Sequence, residues 1–278
     1  MTARFTAEDG LTLAYDDTGE GHPLLCLAGL TRSMEDFAPV VERFAGRARV
    51  IRLDSRGRGR SDHDPDWQNY NIIREGHDAL ALLDHLGIAA ASVLGTSRGG
   101  LIALSLGVGH RERLRGIILN DIGPVIEPRG LAMIMDYLGR RPAYATIEEA
   151  ARALPEAMAP RFRNVPAETW RAHAERLWTQ TPEGLEIRYD ANLRKAVLEQ
   201  SATGALPDLW TLFDGLGDMP LGLIRGANSD VLSAETAAEM RRRRPDMLFA
   251  EIPDRGHVPF LDEPEAVRLI ETYLERAA

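Results

Sequence analysis

Ala91-Ser92-Val93-Leu94-Gly95-Thr96-Ser97-Arg98-Gly99-Gly100-Leu101 is an apolar run that meets a cluster of small residues and then continues at a different spacing. Ala91 to Leu94 reads as a buried strand, whereas Leu101, Leu104 and Val108 recur at intervals of three and four, as one face of a helix does. Between the two stands Gly95-x-Ser97-x-Gly99. A residue at so tight a strand-to-helix turn is forced into a strained backbone conformation, and its neighbours must be small. Gly95 and Gly99 meet that demand, and Gly100 lets the helix lie close to the strand. The helix N-terminus also points at the turn, where its partial positive charge favours developing negative charge. Ser97 is therefore read as a nucleophile rather than an ordinary turn serine. The same glycines do not form a dinucleotide site, because Ser97 stands where G-x-G-x-x-G needs its second glycine. Arg56-Gly57-Arg58-Gly59-Arg60 gives no clean match either, and no P-loop lysine is present.

Working outward, Leu11 to Tyr15 alternates with a period near two. Pro23–Ala28, Ala48–Leu53 and Leu114–Leu119 are short apolar runs like the one before Ser97. Such strands suit a parallel sheet covered on both faces. Ile73, His77, Leu80, Leu83 and Leu86 form a helical stripe that ends at Gly87. Strand and helix in alternation predict a doubly wound α/β sheet. From Val125 to Asp218 the alternation stops. Helices are expected around Leu131–Leu138, Ile147–Met158, Ala167–Trp178 and Ala191–Gln200, with no strand among them. Pro220–Ile224 and Met247–Ile252 restore strands, and a helix over Glu263–Glu275 closes the chain. This predicts a core domain of residues 1–124 and 219–278 carrying a helical cap over 125–218.

A serine hydroxyl needs a base. Of the seven histidines, His77, His85 and His110 belong to helices, His173 to the inserted block, and His22 and His63 to polar loops. His257 follows the last strand, on a loop that should emerge at the same sheet edge as Ser97, and is expected to be the base. Asp230, after the strand that resumes the sheet, is the expected acid that orients it; Asp121, also just after a strand, is the alternative, otherwise a capping residue or substrate contact. The order Ser97, Asp230, His257 is the serine–acid–histidine order of the G-x-S-x-G hydrolases. Acyl transfer also needs donors for an oxyanion. The backbone N–H of Arg98 is one candidate, and the N–H of Leu30, in the turn Ala28-Gly29-Leu30-Thr31, is the other.

These elements resemble the α/β-hydrolase superfamily over nearly the whole chain: Gly29-Leu30, Asp54-Ser55-Arg56-Gly57-Arg58-Gly59-Arg60-Ser61, Gly95 to Gly100, Asp230 and Gly256-His257. The resemblance is to the small capped carboxylesterases and their carbon–carbon-bond hydrolase relatives. It implies the α/β-hydrolase fold, an eight-stranded, mostly parallel sheet with a helical cap, and catalysis without cofactor or metal. The sequence departs from the pattern at Ala28, where many members carry histidine, and at Arg98, where the carbon–carbon hydrolases often carry methionine. A serine nucleophile separates it from the dehalogenase and epoxide-hydrolase relatives, which use aspartate. Asp54–Ser61 is expected to be a structural loop.

The reaction expected is hydrolysis of a carboxylic ester of small size, with carbon–carbon, lactone or thioester cleavage or acyl transfer as alternatives on the same residues, and a non-catalytic receptor as the rival of another class. Tyr137, Tyr144, Phe162, Trp170, Trp178 and Trp210 supply aromatic surface, most of it expected to pack within the cap. A net charge of −9 argues against general affinity for nucleic acid or an anionic membrane. The run Arg241–Arg244 reads instead as a helix end facing solvent. Cys26, the single cysteine, lies in an apolar run as an inert thiol, so neither a disulfide nor a thiolate cluster can form within the chain. Met1-Thr2-Ala3-Arg4-Phe5 lacks the apolar core of a signal peptide, and a cytoplasmic protein is expected.

Overall fold

The apolar runs become strands of one sheet in the computed structural model, which describes residues 2–202 and 208–277. In chain order the elements are β1 (Ala3–Thr6), β2 (Thr12–Thr18), β3 (His22–Leu27), α1 (Ala38–Phe44), β4 (Ala48–Leu53), α2 (Ile72–His85), β5 (Ala91–Thr96), α3 (Arg98–Gly109) and β6 (Leu114–Asn120). There follow α4 (Pro128–Tyr137), α5 (Ile147–Met158), α6 (Ala167–Leu177), β7 (Trp178–Thr181), β8 (Gly184–Ile187), α7 (Leu193–Ala202) and α8 (Leu209–Gly215). The chain closes with β9 (Leu221–Gly226), α9 (Ala234–Arg243), β10 (Leu248–Ile252) and α10 (Pro264–Ala277).

The large sheet runs β1-β2-β4-β3-β5-β6-β9-β10. Its β1 and β2 are antiparallel additions, and β4 to β10 pair in parallel. Leu24, Leu25 and Cys26 are wholly buried, as expected of strands covered on both faces. One face packs on α2, α3 and α8 through Leu82, Ile102, Leu104 and Phe213; the other packs on α1 and α10 through Phe44, Ile270 and Tyr273. Full burial pushes the Cys26 thiol far up, which makes it inert. The chain turns from β3 out to β4 on one side and returns to β5 on the other. That reversal places the ends of β3 and β5 at the crevice where open α/β sheets bind ligands.

The segment between β6 and β9 begins and ends at neighbouring strands, and residues 203–207 of the 125–218 stretch lie outside the described residues. Its helices fall close to the expected positions. The hairpin β7–β8 is an addition, because Thr179, Gln180 and Glu183 are exposed and give no period-two apolar signal. Edge strand β1 was not anticipated either. The basic run ends α9 with its charge met locally: Arg242 and Arg243 on Glu239, Arg243 also on Asp214, and Arg244 on Asp246. No helix of the described residues is long and apolar enough to cross a membrane.

Candidate active site

Ser97 sits between β5 and α3 with φ of 50°, the left-handed strain that the tight turn demands. The glycines around it are required by contact. A Cβ on Gly95 would meet the carbonyl oxygen of Gly99 at 2.5 Å, and one on Gly99 would meet that of Leu27 at 2.0 Å. The serine is left partly exposed among buried neighbours. Its Oγ lies 2.9 Å from Nε2 of His257, carried by the loop after β10. Nδ1 of His257 lies 2.8 Å from Oδ2 of Asp121.

The acid on His257 is thus Asp121, and the expectation of Asp230 is corrected. Asp230 accepts from Nη1 of Arg161, on the inserted segment, at 2.9 Å. Asp121 follows β6 directly, with φ of 57°, and is fully buried. Three groups hold its carboxylate: the Gly226 N–H at 2.8 Å, the Ser229 hydroxyl at 2.6 Å and the His257 ring. These donors satisfy oxygens that burial would otherwise leave unpaired. Ser229 was not singled out in the sequence, and nothing local marks it, since its partner is distant along the chain.

The two amides expected to receive an oxyanion belong to one buried network. The Leu30 N–H has no acceptor among the described residues, and its carbonyl accepts from Nε of Arg58 at 3.0 Å. Arg98 is the first residue of α3, so its N–H has no carbonyl of its own helix to meet. The Arg98 side chain turns away from the crevice, onto Glu75 at 2.8 Å and the Tyr70 carbonyl at 3.0 Å. Arg58 reaches the same Glu75 at 3.1 Å. Glu75 is 2% exposed, and the two guanidinium groups hold its carboxyl below the usual range against the opposing effect of burial. One buried carboxylate on α2 therefore braces both amide-bearing residues. The rest of the Asp54–Ser61 loop is structural as expected: Arg56, fully buried, is met by Asp9, Asp64 and Asp78. No group of three or more His, Cys, Asp or Glu side chains fit to hold a metal occurs among the described residues.

This arrangement can move a proton from a hydroxyl to an imidazole and stabilise the cation that results. The sequence profile of the alpha/beta hydrolase family matches residues 24–268. A 3-hydroxybutyrate-oligomer hydrolase of Cupriavidus necator is 34% identical, over 92% of this chain and 90% of its own. A 2-(acetamidomethylene)succinate hydrolase of Mesorhizobium japonicum is 26% identical, over 89% and 85%. The crystal structure of an alpha/beta hydrolase from Novosphingobium aromaticivorans superposes with a TM-score of 0.91 at 37% identity, over 99% of this chain and 98% of that one.

Proposed function

The chain belongs to the alpha/beta hydrolase family, and on that premise we propose that it is a serine hydrolase that cleaves a carboxylic ester through an acyl-enzyme. The observation that carries the proposal is the unbroken relay Ser97–His257–Asp121, at 2.9 and 2.8 Å. Ser97 Oγ adds to the ester carbonyl as its proton passes to Nε2 of His257. Asp121 accepts from Nδ1–H, fixes the tautomer and stabilises the imidazolium. The N–H groups of Arg98 and Leu30 receive the oxyanion. Collapse breaks the bond to the alcohol, which leaves with the proton from His257. Water then gives a proton to the same nitrogen and attacks the acyl carbon, and the acid departs as Ser97 regains its proton. Residues 125–218 act as the cap that shapes the pocket. The likeness to the 3-hydroxybutyrate-oligomer hydrolase supports an ester of a hydroxy acid as substrate.

The test is a fluorophosphonate probe, with the adduct located by mass spectrometry, and turnover of p-nitrophenyl butyrate by wild type and Ser97→Ala. Labelling at Ser97 is expected, with a loss of turnover in the variant of about four powers of ten or more. Retained turnover would remove Ser97 from the reaction. A wild type that neither labels nor turns over any ester would instead favour a ligand-binding role. Faster cleavage of a vinylogous diketone, a lactone or a thioester than of any ester would move the assignment to those reactions.

A further inference from the structure

Arg58, in the loop after β4, buries a guanidinium against the Leu30 turn and is 1% exposed. Burial and the neighbouring Arg98 work against its charge, and Glu75 offsets them only in part. Its Nη2 is buried without an acceptor among the described residues. Replacing buried charges by apolar side chains of similar volume is often neutral or even stabilising, so stability alone is a poor reason for such a residue.

What Arg58 does hold is the turn that carries one oxyanion donor. Its Nε donates to the Leu30 carbonyl at 3.0 Å, and its Nη1 to the Arg56 carbonyl at 2.6 Å and to Glu75 at 3.1 Å. The Leu30 N–H shares its peptide plane with the Gly29 carbonyl, which accepts from the Arg32 N–H at 3.1 Å. The peptide units on both sides of the Leu30 α-carbon are therefore tied, one by the turn itself and the other by Arg58. The Arg58 loop is held in turn from its far side. The Gly59 N–H donates to the Arg188 carbonyl at 2.9 Å, and the Asp190 N–H to the Gly57 carbonyl at 2.8 Å. Oxyanion donors act at about 2.7–3.1 Å from the charged oxygen, so a displacement of about 1 Å in the turn removes much of their effect.

We propose that Arg58 is a positioning residue of the hydrolytic reaction. Through the Leu30 carbonyl it holds the Leu30 N–H at the oxyanion, and Glu75 holds the guanidinium in place. The role rests on the ester-hydrolase reading. Arg58 is too buried to meet substrate, so it acts on the transition state through Leu30, and its loss lowers kcat rather than raising KM.

The test compares wild type, Arg58→Met, Arg58→Lys and Glu75→Gln with a control in the same loop, Arg60→Met, whose side chain reaches outward to Glu35. Active sites are first counted by complete fluorophosphonate labelling, so that kcat for p-nitrophenyl butyrate is taken per competent site and loss of folded protein does not enter. Arg58→Met is expected to lower kcat per site about thirtyfold, less than outright loss of a donor, with KM within about threefold. Arg58→Lys should recover part of this, since an ammonium reaches one acceptor but cannot span two as the guanidinium fork does. Glu75→Gln should change kcat in the same direction, and Arg60→Met should match wild type. A trifluoromethyl ketone gives a second readout. Ser97 Oγ adds to its carbonyl carbon, the proton passes to His257, and the ketone oxygen becomes an oxyanion facing the two amides. Its affinity should fall in proportion to kcat/KM across the series, as for any group that acts at the oxyanion. An Arg58→Met variant within about threefold of wild type in kcat per site, or one altered only in KM, overturns the role. So does a ketone affinity that holds constant while kcat falls. If Arg58→Met does not fold, Arg58→Lys and Glu75→Gln decide by the same criteria. A wild type that hydrolyses no ester overturns the ester reading and this role together, whereas an active wild type with unaltered variants overturns the role alone.

Discussion

Two carboxylates stand at the carboxyl edge of the sheet, and one of them faces His257. Changing Asp121 to Asn keeps the shape but offers an amide to Nδ1, which favours the tautomer whose Nε2 already carries a proton and cannot take that of Ser97. Turnover of p-nitrophenyl butyrate by Asp121→Asn is expected to fall about four powers of ten. Asp230→Asn loses only the partner of Arg161 and should stay within about tenfold of wild type in kcat, by the modest worth of a part-exposed ion pair. The reverse ranking would return the orienting role to Asp230. At this scale the sequence marks Ser97 and His257 clearly, since each has a local signature: a turn of small residues for one, the loop after the last strand for the other. The acid has none. Asp121 and Asp230 both follow apolar strands at the same edge. What separates them is the backbone twist at Asp121 and the donors gathered from Gly226, Ser229 and His257, more than a hundred residues away along the chain.

Glycine positions test whether the turn between β5 and α3 is as tight as its geometry requires. Gly99→Ala places a methyl against the Leu27 and Ala28 carbonyls, which are backbone and cannot step aside. It should destabilise the fold by about 3 kcal/mol or more in urea denaturation and abolish fluorophosphonate labelling. Gly109→Ala, at the far end of the same helix, meets nothing within 4 Å and should stabilise by up to about 1 kcal/mol. Equal effects would mean that the contact at Gly99 is relieved by movement of α3. The elements most legible in the sequence are those with two buried faces or a full apolar stripe, such as β3, β5 and α2. Edge strand β1 and the hairpin β7–β8 escape notice because their burial is partial and their partners supply the pattern.

Across the whole molecule, the described residues of 125–218 share apolar clusters with residues outside that stretch. Phe260, from the His257 loop, packs with Ile147, Leu154, Phe162 and Trp170, and Tyr70 packs with Leu138, Tyr189 and Leu193. Polar contacts close the same seam: Arg161 on Asp230, Asn164 on Asp254, and the Tyr70 hydroxyl on Asp190. The sheet and this segment are therefore expected to unfold in one calorimetric transition. His173 gives that docking a pH dependence. Its ring lies on α6 against Trp170 and against Phe260, with Arg32 and Arg176 nearby and Asp36 engaged by Arg32. The folded protein refuses a proton that the unfolded chain accepts near the ordinary value of 6.5. The contribution of His173 to stability is thus complete above that pH and declines below it, by at most about 1.4 kcal/mol per pH unit, until the lower folded-state value is reached. Between pH 8 and pH 5 the midpoint of wild type should fall further than that of His173→Phe, which keeps an aromatic ring in place and cannot take up a proton. Parallel midpoints for the two proteins over that range would show that His173 takes up a proton while this segment stays docked.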